Sequence, residues 1–113
     1  MVKQPKVFVK HILDASEIIL RYVRGVTRSE FNRRRMLCDA VVRQIEIIGE
    51  ASKNLDTKFH KQYPEIPWRE IISMRNKLSH EYWDMDMDII WDVAKNELTN
   101  LKHVLEEYLG KDN

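Results

Sequence analysis

Residues 36–55 read MLCDAVVRQIEIIGEASKNL, and their spacing decides the fold class. Leu37, Val41, Ile45, Ile48, Ser52 and Leu55 recur every three or four residues. That period gathers them on one stripe of an α-helix, whereas a strand would alternate. Gly49 lies inside the helix, where it costs ~1 kcal/mol relative to Ala. Close approach of a neighbouring helix is the expected compensation. Upstream, Thr27-Arg28-Ser29-Glu30 has capping-box spacing, so the helix should begin there and continue to about Leu55.

Three more helices follow from the same reasoning. The first runs from about Lys6 to Arg24 with Phe8, Ile12, Ala15, Ile19 and Tyr22 on one stripe, and Gly25 offers a left-handed cap. Residues 56–66 form a connector with room for a short helical turn, bracketed by Pro64 and Pro67. Pro67 suits the first position of the next helix, expected to reach about His80. The last helix begins among Asp84, Asp86 and Asp88, whose carboxylates suit an N-terminus. It carries Ile90, Val93, Ala94, Leu98, Leu101, Val104, Leu105 and Tyr108, and Gly110 should stop it. Amphipathic helices joined by short links predict an all-α antiparallel bundle: four main helices and a short connector helix.

Composition narrows the function classes. The 113 residues read as one domain, 1–113, with a net charge of +1. No apolar run approaches the ~20 residues that cross a bilayer, and no signal-peptide stretch follows Met1, so a cytoplasmic location is expected. Cys38 is the only cysteine, which excludes an internal disulfide and cysteine-rich zinc sites. Residues 1–50 carry ten Lys/Arg against six Asp/Glu, with Arg33, Arg34 and Arg35 in one run. Such a half can attract RNA phosphates, or be a solvated helix face. Between Glu81 and Asp92 there are five acids and no base.

Metal and nucleophile readings fail on spacing. His11, His60, His80 and His103 include no pair three or four residues apart, so no helical two-histidine ligand face exists. Asp84, Asp86 and Asp88 imitate the opening of a calcium loop, but its sixth position would be Ile89 and its twelfth Lys95. Helix capping is the simpler account. Cys38 reads as a core thiol, and no glycine-rich phosphate loop is present. Trp68, Trp83 and Trp91 read as packing anchors.

The chemistry concentrates in Arg75-Asn76-Lys77-Leu78-Ser79-His80-Glu81-Tyr82. Arginine stabilises charge on a phosphate, and histidine moves a proton near neutral pH. Together they point to metal-free phosphodiester cleavage. On a straight helix, however, five residues leave Arg75 and His80 ~140° apart. Either the helix ends near His80, or a second copy of the chain supplies half the site. The bland alternative is an arginine paired with a nearby acid and a histidine capping its own helix.

This segment resembles the R-x-x-x-x-H-x-Y signature of HEPN-domain toxins of the HepT-like family. Three further blocks agree in order: Arg43 to Ala51 with the family's second-helix segment, Tyr63 to Ile72 with its approach to the motif, and Asp86 to Trp91 with the start of its final helix. Ser79 departs from the aliphatic residue expected there. Trp83 adds bulk just after the motif. The resemblance implies a HEPN bundle over 1–113 that forms a homodimer, with the motifs of two protomers facing each other across a cleft.

It also implies a metal-independent endoribonuclease without a cofactor, acting on RNA as the toxin of a toxin–antitoxin pair. Its partner would be an MNT-type nucleotidyltransferase antitoxin that transfers AMP to the motif tyrosine, here Tyr82. Arg75 and His80 would be catalytic, and Asn76 would orient substrate. Residues 81–92 could dock a basic antitoxin surface. The competing reading is a non-catalytic HEPN module that binds nucleotide or RNA, or holds its nucleotidyltransferase partner. A helix-turn-helix DNA binder using Arg33 to Arg35 is disfavoured, because those arginines start a long helix without a glycine turn.

Overall fold

Six helices build the chain in a computed structural model that describes residues 4–81 and 84–111, and no strand occurs among them. Helix α1 spans Pro5–Val23 and α2 Arg28–Arg33. Helix α3 spans Arg35–Asn54, α4 Thr57–Gln62 and α5 Trp68–Glu81. The last helix is continuous from residue 87 to 111 but has three parts: α6, Met87–Asp92; a π-helical turn, Val93–Glu97; and α7, Leu98–Lys111.

Local chemistry sets most of the boundaries. Gly25 ends α1 with φ 72°, the left-handed conformation expected of it. At the start of α2, Glu30 N–H donates to Thr27 Oγ1 and Thr27 N–H donates to Glu30 Oε1, both at 3.1 Å. These reciprocal bonds hold the Glu30 carboxyl below its usual range. Asp56 caps α4, accepting from Phe59 N–H at 2.8 Å, and Asp86 caps α6, accepting from Asp88 N–H at 2.8 Å. Pro67 lies just before α5 and accepts from Ile71 N–H through its carbonyl at 3.1 Å.

Three expectations need correction. The predicted helix from Thr27 to Leu55 is broken at Arg34, where φ is −104° and ψ is 87°. The break is offset by tertiary structure: Phe31 is fully buried against Trp91, with ring centroids 5.1 Å apart. The Cys38 thiol donates to the Phe31 carbonyl at 3.0 Å. Second, Gly110 does not stop the last helix, which continues to Lys111. The last turn is instead held on the core by the half-buried Tyr108 and Leu109. Third, the α1 stripe is turned slightly from the one expected: Val9 and Val23 are in the core, Phe8 is only partly buried, and Tyr22 is exposed.

The long helices pack antiparallel in the order α7, α1, α3, α5. Lys95 meets the end of α1 and Lys102 meets Glu17, while Gly49 meets Arg75 and Glu46 meets Ser79. The core comprises Ile12, Ile19, Phe31, Val41, Ile45, Ile90, Leu105 and their neighbours. The π-helical turn has a packing reason. Ile90, Ala94 and Leu98 are all buried at four-residue steps, and each such step drifts ~40° on a regular α-helix. A wider turn absorbs the drift and keeps all three on the core. It also sends Lys95 across to α1, where Nζ donates to Val23 O at 2.9 Å and lies 5.0 Å from the centre of the Trp91 ring.

The connector is closed by aromatic contacts. Trp68 is buried and donates from Nε1 to Tyr63 O at 3.0 Å. His60 stacks on Trp68 with centroids 4.7 Å apart, and its Nε2 lies 2.9 Å from Ser52 O. Trp68 and Trp91 are therefore packing anchors, and Trp83 lies outside the described residues. No helix among the described residues is long and apolar enough to cross a membrane.

Candidate active site

Helix α5 carries the signature, and α3 determines how it is displayed. Gly49 is the contact point. A Cβ built there would lie 2.1 Å from Arg75 Cβ, 2.7 Å from Arg75 Cγ and 3.3 Å from Ile71 O. Only a bare Cα lets α5 come this close, so the close approach expected at Gly49 is present, and it falls on the root of Arg75.

From that root the Arg75 side chain runs along α3 with 24% of its surface exposed. One terminal nitrogen forms an ion pair with Glu50 Oε2 at 2.7 Å, and the other donates to Asn76 Oδ1 at 2.9 Å. One turn further on, Ser79 Oγ donates to Glu46 Oε2 at 3.3 Å. Ser79 therefore fastens α5 to α3 through a polar bond. Arg75, Glu50, Ser79 and Glu46 line a groove of about 320 Å³ between α1 and α5, with α3 as its floor. His11 and Phe8 enter it from α1 and Arg43 from α3, so its lining includes both arginine and glutamate side chains.

His80 is exposed in the last turn of α5. The helix is regular from Trp68 through Glu81, so the five-residue spacing still leaves His80 ~140° from Arg75. One chain does not bring the two side chains to the same face. Asn76 is exposed and contacts Arg75. Tyr82, the expected adenylylation position, lies outside the described residues.

Several of the remaining candidates have structural partners. Asp88 pairs with Arg28, and Asp92 accepts from Asn96 Nδ2 at 2.6 Å. Arg35 pairs with Asp39 at 3.1 Å, and Arg33 and Arg34 are exposed. Cys38 is buried, and burial pushes its thiol pKa up, as for an inert core thiol. Among the described residues, no group of three or more His, Cys, Asp or Glu side chains is placed to hold a metal. Sequence reasoning missed Glu50. Its signals were its place beside Gly49, where the close approach was expected, and inside the Arg43 to Ala51 block.

Comparison with known proteins bears on this arrangement. The family model "Ribonuclease HepT-like" matches residues 12–108. The chain is 38% identical over 110 residues to a protein of Caldanaerobacter subterraneus subsp. tengcongensis named "Putative RNase", covering 97% of this chain and 98% of that one. It is 38% identical over 112 residues to "Probable ribonuclease HepT" of Thermococcus cleftensis, covering 95% and 97% of the two chains. A protein of Methanocaldococcus jannaschii named as a gamma-glutamylcyclotransferase and putative RNase is 41% identical over 102 residues; the match covers 90% of this chain but 46% of that longer protein. No solved structure matches the chain. With a motif helix seated on α3 at a glycine and a family match across nearly its whole length, the chain belongs to the HepT-like ribonuclease family.

Proposed function

We propose that the chain is a metal-independent endoribonuclease, the toxin of a toxin–antitoxin pair, acting at a cleft between two copies of itself. The observation that carries this reading is the held state of Arg75. In a chain of a ribonuclease family, the first residue of the motif is partly buried and gripped at both terminal nitrogens. The geometry of α5 supports the twofold arrangement. If Arg75 and His80 serve one phosphate, the imidazole of one copy must meet the guanidinium of the other, because one helix points them apart.

In this mechanism the ribose 2′-oxygen attacks phosphorus and the bond to the 5′-oxygen breaks. His80 takes the 2′-hydroxyl proton or supplies one to the leaving 5′-oxygen. Arg75 neutralises charge growing on the phosphorane oxygens, and Asn76 orients the substrate. The products are a 2′,3′-cyclic phosphate and a 5′-hydroxyl, and no water is consumed. DNA lacks the nucleophile and is not cut. Adenylylation of Tyr82 by a nucleotidyltransferase antitoxin would add bulk and a phosphodiester charge to the cleft, competing for Arg75.

The test is direct. Arg75→Ala and His80→Ala proteins should keep their helical circular dichroism and dimer mass while losing about two to three decades in RNA cleavage rate. Wild-type cleavage by either variant refutes the assignment. Coexpression with a nucleotidyltransferase of the antitoxin type should add adenylyl masses to the wild type and none to Tyr82→Phe. Equal labelling of both proteins rejects that position.

One observation favours a second reading, the non-catalytic module. Arg75 already has an acidic partner, as an arginine with a structural role would. That reading requires tight partner binding with no RNA products and no growth effect when the chain is expressed alone.

A further inference from the structure

We infer that Glu50 is a positioning residue: its carboxylate sets the direction in which Arg75 presents its guanidinium to a phosphate. The inference rests on the ribonuclease reading above and adds to it a residue outside the signature.

Three features of α3 and α5 converge on this one side chain. Gly49 removes the Cβ that would displace the root of Arg75, so the first two carbons of the side chain lie directly on the α3 backbone. Glu50, the next residue, meets one terminal nitrogen at 2.7 Å. Asn76 accepts from the other at 2.9 Å. A planar guanidinium fixed at its root and at both terminal nitrogens has little rotational freedom left. It carries five N–H groups, and these contacts occupy two of them. Three remain for phosphate oxygens, so a phosphate can bind without displacing Glu50.

The ion pair has little to do with holding the fold. The Glu50 side chain is 52% exposed, and an ion pair at such a site adds little stability. What it restricts is the orientation of a long cationic side chain at the edge of an open groove. Orientation matters at a phosphate because transition-state stabilisation depends on donors already aimed at the developing charge. The carboxylate also has an electrostatic cost, since it places a negative charge near the bound RNA. Its removal should therefore lower kcat without weakening RNA binding. A residue that only bound substrate would change KM in the other direction.

The experiment uses the wild-type chain, Arg75→Ala, Glu50→Ala and Glu50→Asp, with a mixed-sequence oligoribonucleotide as probe. Glu50→Ala should reduce kcat about ten- to a hundredfold, with KM unchanged or lower and thermal stability nearly unchanged. Glu50→Asp, which keeps the charge on a shorter arm, should recover part of the loss. As a readout independent of activity, the Arg75 Nε–H resonance, assigned by its absence from Arg75→Ala, should broaden or vanish in Glu50→Ala.

The outcomes separate the two ideas. If the wild type cuts RNA and Arg75→Ala does not, the ribonuclease reading stands and Glu50 is judged by itself. Unchanged kcat in Glu50→Ala, or an unchanged Arg75 resonance, then overturns the positioning role alone. If the wild type fails to cut the probe, or Arg75→Ala cuts it equally well, the parent reading falls and the inference falls with it.

Discussion

Helices α1 and α5 both lie on α3, yet they are covered very differently. Helix α1 sits between α3 and α7 and buries Val9, Ile12, Ala15, Ser16, Ile19 and Val23. Helix α5 packs chiefly on α3 and buries only Trp68 and Leu78, leaving Ile71, Ile72 and Met74 half-covered. A helix with two partners is scaffold. One packed chiefly on a single long helix keeps a side free, and here that helix carries the signature. Its seating on α3 depends on a few specific contacts, chiefly a glycine approach and one serine–glutamate bond.

This contrast can be broken by substitution. The largest expected effect on stability is on α1. Ile12→Ala removes a fully buried side chain and should cost about 2–5 kcal/mol in urea unfolding. Gly49→Ala comes next, at about 1–3 kcal/mol, because two backbones must move apart to admit the methyl group. Amide exchange should rise in α5 and stay slow in α1; equal loosening of both would remove the distinction between scaffold and display helix. Ile72→Ala, on the half-covered side, should cost only about 1 kcal/mol in an isolated chain. A larger loss that grows with dilution would show that a second copy covers this side.

The smallest effect is on pH dependence. Burial raises the Cys38 pKa in the folded state, so its contribution to stability is present below the ordinary thiol range. That contribution is lost as pH rises through the raised value, because the unfolded chain releases the proton first. Alkylation by iodoacetamide at pH 8 should accordingly be slow until urea unfolds the protein. Rapid labelling of the folded chain would place Cys38 outside the core.

Features that depend on near neighbours were legible in the sequence. The Gly25 cap, the Thr27–Glu30 box and the Asp86 cap are built from residues within a turn of one another. Gly49 was readable because a glycine inside a strongly amphipathic helix needs a compensating contact. Features that depend on distant partners were not. No proline or glycine marks the break at Arg34, which follows from Phe31 meeting Trp91 sixty residues away in the chain. The π-helical turn answers a drift that becomes a problem only once the core exists. Glu50 was hidden for the same reason: its partner is on another helix, and only the antiparallel seating of α5 brings the two together.

The amine of Lys95 has a consequence for biosynthesis. It satisfies the terminal carbonyl of α1 from a position 72 residues later, and Lys102 reaches Glu17 across 85. Helix α1 therefore leaves a ribosome well before the lysine that finishes its end. Until then its apolar stripe has neither its second wall nor its cationic stopper. A polypeptide interrupted before residue 95 should remain prey for proteases and chaperones, because α1 then lacks both.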